Sequence, residues 1–241
     1  MQDAIVIIPT FNEIENIEAI IKAVIGQQKA FDILVVDDNS PDGTGNRVKS
    51  LQEQLKGRLF LLERKHKTGL GTAYIDGFHW CLKKEYQYIF EMDADFSHDP
   101  KDLIKLYNAC HIDGADLSIG SRYVDGVNVV NWPMSRVLMS YGASKYVRFI
   151  TRMPICDTTA GFVCYKRRVL EEIDLQSVKF VGYAFQIEMK FKAYLKKFKI
   201  IEVPVIFTDR RKGKSKLSGS IISEAIFGVL TMKFKSLIGK E

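Results

Sequence analysis

Two aspartates stand where the sequence could bind a metal ion. The run YIFEMDADFSHDP places Asp93 and Asp95 two residues apart, directly after an apolar segment that is typical of a buried strand. Side chains at i and i+2 of an extended segment point to the same side, so both carboxylates can reach one cation. Since Mg²⁺ usually takes one or two protein carboxylates and substrate phosphates, the spacing predicts a divalent-cation site beneath a diphosphate.

A plain turn is the competing interpretation of the same loop. Aspartates are common in solvated turns and at helix starts, so the pair could serve only to cap the next helix. Asp99, which precedes Pro100, fits this role as an N-cap with proline at the first helical position. We interpret His98 as a loop residue.

A second acidic loop, VVDDNSPDGTG, follows an earlier apolar run. Asp37 and Asp38 have no basic neighbour in this loop, which would be a poor arrangement for stability alone. Acids after such a strand can accept hydrogen bonds from a base or a ribose hydroxyl, so we expect a nucleotide nearby. The G-x-G-x-x-G fingerprint is absent, and GLGTAY lacks the lysine and spacing of a phosphate-binding P-loop.

The elements that must position these loops follow a β/α rhythm. Apolar runs alternate with segments of helical spacing, of which Ile17, Ile20, Ile21 and Val24 form the clearest. The predicted strands lie in AIVIIPT, DILVVDD, RLFLLER, YIFEMDAD and ADLSIGSRY. Continuous rather than alternating apolar runs favour an α/β fold with a mostly parallel sheet covered on both faces. Ligands bind such sheets beyond the carboxyl ends of the strands, where the polar loops are.

The second half of the chain continues the pattern less regularly. We expect a helix around YAFQIEMKFKAYL, a strand in IIEVPVIF, a basic loop TDRRKGKSKLSGS and a terminal helix. There is no internal repeat or linker, so 241 residues predict a single domain with an extension.

Composition and charge restrict the location. The four cysteines form no CxxC pair, which favours reduced thiols and the cytoplasm. MQDAIVIIPT is unlike a signal peptide, so we expect no secretion. The best apolar segment, Ile221 to Met232, is too short to span a membrane and contains Glu224. Residues 1–132 hold 14 Lys+Arg against 20 Asp+Glu, and residues 133–241 hold 21 against 9, which predicts an anionic surface or polymer as partner of the second half.

Two segments of the basic half are amphipathic. Lys145, Arg148 and Arg152 oppose one apolar stripe, and Lys233, Lys235 and Lys240 follow the other. The first stripe consists of Met139, Ala143, Tyr146, Val147, Ile150 and Met153, and the second of Ile221, Ile222, Ala225, Ile226, Val229 and Leu230. Basic amphipathic helices are typical of membrane-surface binding, so we expect a peripheral, monotopic protein on the cytoplasmic face of an anionic membrane. A helix packed on the globular core is the alternative for the first segment.

Eight ordered motifs over nearly the whole chain carry a family resemblance. They are IPTFNE, VVDDNSPDGT, KTGLGTAY, MDADFSHDP, GSRY, DTTAGF, FQIEM and EVPVIFTDRRKGKSKL. In this order they resemble the polyprenol-phosphate (dolichol-phosphate) mannosyltransferases of glycosyltransferase family 2. The resemblance implies a Rossmann-like GT-A domain over residues 1–217 followed by an amphipathic helix over 218–241. It also implies an inverting, metal-dependent transfer of mannose from GDP-mannose to a polyprenyl phosphate, with Mg²⁺ or Mn²⁺ as cofactor.

The resemblance also assigns roles to residues. The implied metal ligands are Asp93, Asp95 and Gln186. The implied nucleotide-sugar pocket consists of Pro9, Phe11, Glu13, Asp37, Asp38, Asp93 and Lys216, and the implied acceptor-phosphate clamp of Arg122, Arg136 and Ser140. Arg210 and Lys216 resemble a loop that closes on the diphosphate, and the catalytic set implied is Asp95, Arg122, Arg136 and Arg210. Two positions depart from the pattern: Phe11 replaces a common tyrosine, and Ala160 replaces a common serine or glycine.

Other functions remain open at this point. The nearest alternative is transfer of glucose or N-acetylglucosamine from a UDP-sugar to the same kind of lipid. A nucleic-acid-binding domain would explain the basic half but not Asp93 and Asp95, so we expect no nucleic-acid partner. A sugar-nucleotide binder without activity is disfavoured because every residue type that the chemistry requires is present.

Overall fold

The computed structural model describes residues 2–182, 184–209 and 219–238, with side chains from residue 227 onward in the last range. Arg210, Lys216 and the side chains predicted at positions 221–226 lie outside the described residues. The elements run β1 (Ala4–Thr10), α1 (Ile17–Ile25), β2 (Asp32–Asp37), α2 (Thr44–Gln54), β3 (Leu59–Glu63), α3 (Leu70–Leu82), β4 (Tyr88–Glu91), α4 (Leu103–His111), β5 (Leu117–Ser121), β6 (Val129–Val130), α5 (Met134–Thr151), β7 (Val163–Lys166), α6 (Arg167–Glu172), α7 (Ala184–Leu195), β8 (Ile200–Pro204), β9 (Phe207–Thr208) and α8 (Gly219–Leu237).

A seven-stranded sheet forms the centre of the described chain. Its strand order is β3-β2-β1-β4-β7-β5-β8. Every pairing in it is parallel except the two that β7 makes with β4 and β5. The predicted mostly parallel α/β fold is therefore confirmed, and β6 and β9 form a separate parallel pair.

The apolar strands are continuous because the sheet is buried on both faces. Along β1, Ile5 and Ile7 join the core on one face, whereas Val6 and Ile8 join the core on the other. α1 covers the second face with all four of its predicted apolar residues. α3 and α7 cover the first face, where Tyr74 stacks on Phe185 with ring centroids 5.9 Å apart. The apolar faces of the helices and of the strands therefore pack together in two core clusters, one on each face of the sheet.

Strand β7 of the central sheet was not predicted from the sequence. Its apolar residues Val163, Cys164 and Tyr165 are buried, but α6 begins at once with Arg167. No turn residue separates the strand from the helix, so the run lacks the boundary by which the other strands are recognised. The predicted strand in IIEVPVIF is divided into β8 and β9.

The terminal helix α8 packs against α7 and α5. The division at residue 217 between a catalytic domain and this helix stays a prediction. No helix within the described ranges combines the length and the apolar character that crossing a membrane requires.

The helix α3 approaches its neighbours too closely for a side chain at Gly71. A Cβ atom there would lie 2.6 Å from the Phe180 carbonyl oxygen and 2.9 Å from the Phe185 ring. Gly71→Ala should therefore force a backbone shift and lower the free energy of unfolding by about 1–3 kcal/mol, as urea denaturation would measure.

Gly142 provides the matched control, since it is also helical but its added Cβ would meet nothing within 4 Å. Gly142→Ala should leave stability unchanged or raise it by up to about 1 kcal/mol through helix propensity. Equal effects of the two substitutions would contradict the close approach at Gly71.

Candidate active site

The acidic loops share one edge of the sheet. β2, β1 and β4 are adjacent and parallel, with Thr10 paired to Asp37 and Ile7 paired to Glu91. The segments that follow these three strands therefore leave from the same edge. This is the edge at which sheets of this type bind ligands.

Asp93 and Asp95 lie in the loop beyond β4. Asp93 is half-buried, and Asp95 is 7% exposed with its Oδ1 accepting a hydrogen bond from the Ser97 amide at 3.0 Å. Two carboxylates of this kind suit Mg²⁺ or Mn²⁺, which completes its shell with water and phosphate. No cluster of three or more His, Cys, Asp or Glu that could hold a metal is found in the described part of the chain. The donor set thus fits a site that a phosphate-bearing ligand completes.

The same loop ends as predicted at Asp99. Its carboxylate accepts a hydrogen bond from the Lys101 amide at 3.0 Å, and Pro100 occupies the first position of the short helical turn before α4. The N-cap interpretation of Asp99 is therefore confirmed.

Gln186 belongs to a buried polar network beneath β4. Its Nε2 donates to Glu91 Oε2 at 2.6 Å, and its Oε1 accepts from Lys190 Nζ at 3.2 Å. Binding a metal through Gln186 would require exchange of these contacts, so its role as a metal ligand stays a prediction. Burial raises the pKa of Glu91 and lowers that of Lys190, because an unpartnered charge is costly there.

Lys190 extends this network to the DTTAGF segment. Its Nζ is fully buried and donates to the Ala160 carbonyl at 2.7 Å. A lysine in this position fixes the backbone of the segment between Asp157 and β7. No sequence pattern points to this role, because Lys190 looks like an ordinary helical surface lysine.

The two acids of the second loop have different partners. Asp37 accepts hydrogen bonds from the hydroxyls of Thr10 and Ser40, at 2.9 and 2.6 Å. Asp38 forms an ion pair with Arg64 at 2.8 Å, and both side chains are nearly buried. The premise that these acids lack a basic partner is therefore wrong for Asp38, since Arg64 comes from beyond β3. Burial, with Arg64 opposing it, raises the pKa of Asp38.

The other residues of the predicted nucleotide pocket follow β1. Pro9 and Phe11 are half-buried, and Lys67 Nζ lies 4.6 Å from the Phe11 ring centroid. Glu13 accepts a hydrogen bond from the Asn16 side chain at 3.0 Å. Phe11 and Lys67 thus offer an aromatic face and a cation on the edge where Asp37 ends β2.

Arg122 is held almost wholly inside the protein. Its Nε and Nη2 donate to the two carboxylate oxygens of Asp157, both at 2.6 Å, and Nη2 also reaches Thr159 at 2.9 Å. Burial acts to raise the pKa of Asp157, but the Arg122 guanidinium holds it below its ordinary value. The rings of Tyr123, Trp132 and Phe207 lie 5.2 to 5.5 Å from the guanidinium carbon.

The three residues of the predicted acceptor-phosphate clamp do come together. The Arg136 guanidinium lies 3.9 Å from the Trp132 ring centroid, beside the ring that Arg122 also contacts. Ser140 accepts a hydrogen bond from the Tyr123 hydroxyl at 2.8 Å. Arg136 pairs with Asp209 at 2.7 Å and is the more exposed of the two arginines. We call Arg122, Arg136 and these three rings the arginine cluster, and its role in phosphate binding stays a prediction.

Strand β9 joins the arginine cluster to the Asp95 loop. The Thr208 amide donates to the Ser97 carbonyl at 3.2 Å. The next residue, Asp209, is the partner of Arg136. The predicted metal loop and the predicted phosphate clamp therefore contact two consecutive residues, Thr208 at the end of β9 and Asp209 directly after it.

The two amphipathic segments form helices, but α5 turns a different face to the protein than the sequence suggested. Val147 and Met153 are buried in the core, and Tyr146 and Ile150 pack against it, so most of the first stripe faces the protein. The exposed apolar residues of α5 and α8, with Ile238 directly after α8, are Met134, Leu138, Met139, Tyr141, Phe149, Phe227, Leu230, Phe234, Leu237 and Ile238. We call this set the apolar surface. In α8, Val229 faces the core, which corrects the second stripe at that position.

Comparison with known proteins agrees with this geometry. The family model described as Glycosyl transferase family 2 matches residues 5–174. The polyprenol monophosphomannose synthase of Mycolicibacterium smegmatis is 47% identical over 95% of this chain and 86% of its own length. The undecaprenyl-phosphate mannosyltransferase of Micrococcus luteus is 42% identical over 92% and 90%. The dolichol-phosphate mannosyltransferase of Pyrococcus furiosus is 37% identical over 91% of this chain but 60% of its own.

Solved structures share the fold at low sequence identity. Glucosyl-3-phosphoglycerate synthase from Mycobacterium tuberculosis with phosphoglyceric acid superimposes with a TM-score of 0.71 at 15% identity, over 96% of this chain and 80% of that one. Its complex with Mn²⁺, UDP and glucosyl-3-phosphoglycerate gives 0.70 at 16% identity over the same shares.

The chain belongs to glycosyltransferase family 2, and it is a glycosyltransferase with a GT-A-like fold. Within that family, the resemblance to polyprenol-phosphate mannosyltransferases that its motifs predict is confirmed. Membership in an enzyme family also disfavours the alternatives of a nucleic-acid-binding domain and of an inactive binder.

The buried pair of Arg122 and Asp157 predicts a specific stability defect. Asp157→Asn leaves the guanidinium uncompensated and should lower the free energy of unfolding by about 3–5 kcal/mol at neutral pH. Because the pKa of Asp157 is depressed in the folded state, the pair's contribution is complete above the ordinary pKa of 3.8 and is lost as pH falls through the folded value. The gap between wild type and variant should therefore shrink only below about pH 4.

Urea denaturation across pH would measure this gap. Glu171→Gln serves as control, since it removes an exposed ion pair with Arg167 and should cost less than about 1 kcal/mol. A similar small cost for Asp157→Asn would contradict the structural role of the pair.

Proposed function

We propose that this enzyme transfers mannose from GDP-mannose to a polyprenyl monophosphate at a membrane surface, with inversion, to give polyprenyl-phosphate mannose. The observation that carries the proposal is the junction at β9, where the carboxylate loop of Asp95 and the cluster of Arg136 meet. One side suits a metal-bound diphosphate and the other a phosphate monoester. The names of relatives at 42 and 47% identity support the choice of mannose and of a polyprenyl acceptor.

The acceptor requires no strong general base. The second pKa of a phosphate monoester is about 6, so at neutral pH most of it is a dianion. One of its oxygens attacks the anomeric carbon of mannose as the bond from that carbon to the donor's diphosphate breaks. The nucleoside diphosphate leaves with the negative charge, and attack opposite to the leaving group inverts the anomeric centre.

The chain's own charges would position the two phosphate groups. Asp93 and Asp95 would hold a divalent ion, which supplies charge neutralisation for the departing diphosphate when bound. Arg136, the more exposed arginine of the cluster, would donate hydrogen bonds to the acceptor phosphate, and Arg122 would fix the surrounding rings. By analogy with oxyanion-hole deletions, each fixed donor of this kind would lower the activation free energy of transfer by about 3 kcal/mol.

The direct test is transfer of labelled mannose from GDP-mannose to a short polyprenyl phosphate in detergent. We expect product with Mg²⁺ or Mn²⁺ that EDTA abolishes, and a loss of at least about 100-fold for Asp95→Ala. Asp99→Ala is the matched control, because this aspartate of the same loop only caps a helical turn. Equal activity of the two variants would contradict the metal site.

Transfer from a UDP-sugar is the second function that an observation favours. The fold neighbour glucosyl-3-phosphoglycerate synthase has been solved with UDP-glucose. Parallel assays with UDP-glucose and UDP-N-acetylglucosamine therefore belong to the same experiment. Product from these donors and none from GDP-mannose would contradict mannose as the transferred sugar but would support the same type of transfer reaction.

A membrane location is supported by the apolar surface. In α8, Phe227, Leu230, Phe234 and Leu237 repeat at helical spacing and are each at least 45% exposed. In α5, Lys145 lies 5.2 Å from the Tyr141 ring and Arg152 lies 5.2 Å from the Phe149 ring, so cations border the apolar side chains. This is the composition of interfacial helices on anionic leaflets, where each basic residue adds about 1 kcal/mol. A peripheral position on the cytoplasmic face is part of the proposal.

Sedimentation with vesicles that contain anionic phospholipid tests this location. At low salt the wild type should bind, and the double variant Phe149→Ser, Phe234→Ser should lose at least about 10-fold in partitioning, since two large side chains leave the interface. Ile112→Ser is the control, because Ile112 is as exposed as Phe149 but lies at the end of α4. Wild-type protein that stays in the supernatant, or a control that matches the double variant, would contradict the proposal.

A further inference from the structure

His98 is buried in the Asp95 loop, beside the arginine cluster. It lies in the loop, as the sequence suggested, but its side chain is only 4% exposed. The imidazole stacks on the Phe162 ring at 4.9 Å, with an interplanar angle of 14°, and meets the Phe207 ring edge-on at 5.1 Å. Two rings therefore fix the plane of the imidazole.

One nitrogen of this ring lacks a partner. Nδ1 of His98 is buried, and no described residue forms a hydrogen bond with it. Leaving a buried polar atom unpaired costs free energy, and such groups in native structures call for an explanation. If His98 served packing alone, a phenylalanine would keep both ring contacts without this cost. A function for the nitrogen explains why the chain keeps an imidazole here.

The charges around His98 indicate which ligand could supply the missing partner. Asp95, Arg122 and Asp157 lie close enough to influence its ionisation. Burial, which outweighs the attraction of Asp95, lowers the pKa of His98 to about 4, so the ring is neutral at physiological pH. A neutral imidazole carries one N–H, and phosphate oxygens have only lone pairs to offer, so the proton that meets a phosphate must be on Nδ1.

We propose that His98 contacts the substrate in the transfer reaction, with its Nδ1–H donating a hydrogen bond to a phosphate oxygen of either the acceptor monophosphate or the donor's diphosphate. The inference rests on the proposed function, since it requires both phosphates at the junction of β9. Phe207, the first residue of β9, contacts both His98 and Arg122, so the imidazole lies beside the arginine cluster and only three residues along the chain from Asp95.

Two variants separate this role from a structural one. His98→Phe keeps the aromatic contacts and removes both nitrogens, whereas His98→Asn shortens the side chain but retains an N–H donor near the position of Nδ1. If His98 contacts phosphate, His98→Phe should be at least as thermally stable as the wild type, and His98→Asn should be less stable than both. The value of kcat/KM should follow a different order: it should be highest for the wild type, lower for His98→Asn and lowest for His98→Phe. We expect a loss of 10- to 100-fold for His98→Phe.

The assay with GDP-mannose and polyprenyl phosphate also distinguishes the two phosphates. A contact with the acceptor raises the KM for polyprenyl phosphate and leaves the affinity for GDP with Mn²⁺, measured by calorimetry, unchanged. A contact with the diphosphate weakens GDP binding or lowers kcat at saturating acceptor. Either result supports the inference.

Three results would overturn it. Wild-type kinetics in His98→Phe would mean that the nitrogen serves packing or binds only water. Activities that rise and fall with stability across both variants would mean a structural role. In both cases the proposed function stands, whereas wild-type protein that makes no product from any donor tested overturns the proposed function and this inference with it.

Discussion

The site depends on the rule that a charge taken out of water must find a partner. Three ionised or polar groups are buried at one edge of this sheet, and each is matched by a residue distant in sequence. Asp157 pairs with Arg122, Asp38 with Arg64, and Glu91 reaches Lys190 through Gln186. Because removal of one partner would leave an uncompensated charge, these pairs restrict the positions of the loops that contain them.

The same rule gives Arg122 and Arg136 different roles. Arg122 donates its side-chain hydrogen bonds to Asp157 and Thr159. Because these bonds fix its guanidinium, Arg122 holds the rings of the arginine cluster in place. Arg136 lies 3.9 Å from the Trp132 ring centroid and is paired with the partly exposed carboxylate of Asp209. A phosphate can compete for a partly exposed ion pair at a smaller cost than for a buried bidentate pair, whose disruption would cost several kcal/mol. Exposure thus distinguishes two arginines that the sequence treats alike.

The parts of the fold that sequence predicts are those specified locally. Strands β1 to β5 are apolar runs bounded by turn residues, and α1 shows its core face in four residues. Strand β7 was missed because no turn follows it, and the buried face of α5 was misjudged because helical spacing gives a stripe without saying what covers it. The exposed apolar residues of α5 are interrupted by polar and basic residues, including Arg136, Lys145 and Arg148, which weakens their apolar pattern.

The pairings within the site could not be predicted for a different reason. Asp38 and Arg64 are 26 residues apart, and Arg122 and Asp157 are 35 apart, so no local pattern links them. The acidic loops after β2 and β4 could be predicted because the sequence itself shows that they follow apolar strands. His98 and Lys190 were invisible because their importance lies in burial, which only the folded chain determines.

The buried amine of Lys190 has a consequence for how the site can be observed. In the native state the amine is fully buried, so an acylating reagent cannot reach it, and exposure to water would restore its ordinary lysine pKa because burial is what lowers that pKa. Its acylation must therefore wait until α7 separates from the Ala160 carbonyl. Pulse labelling of this amine would time the local opening of the loop that contains Ala160, separately from global unfolding.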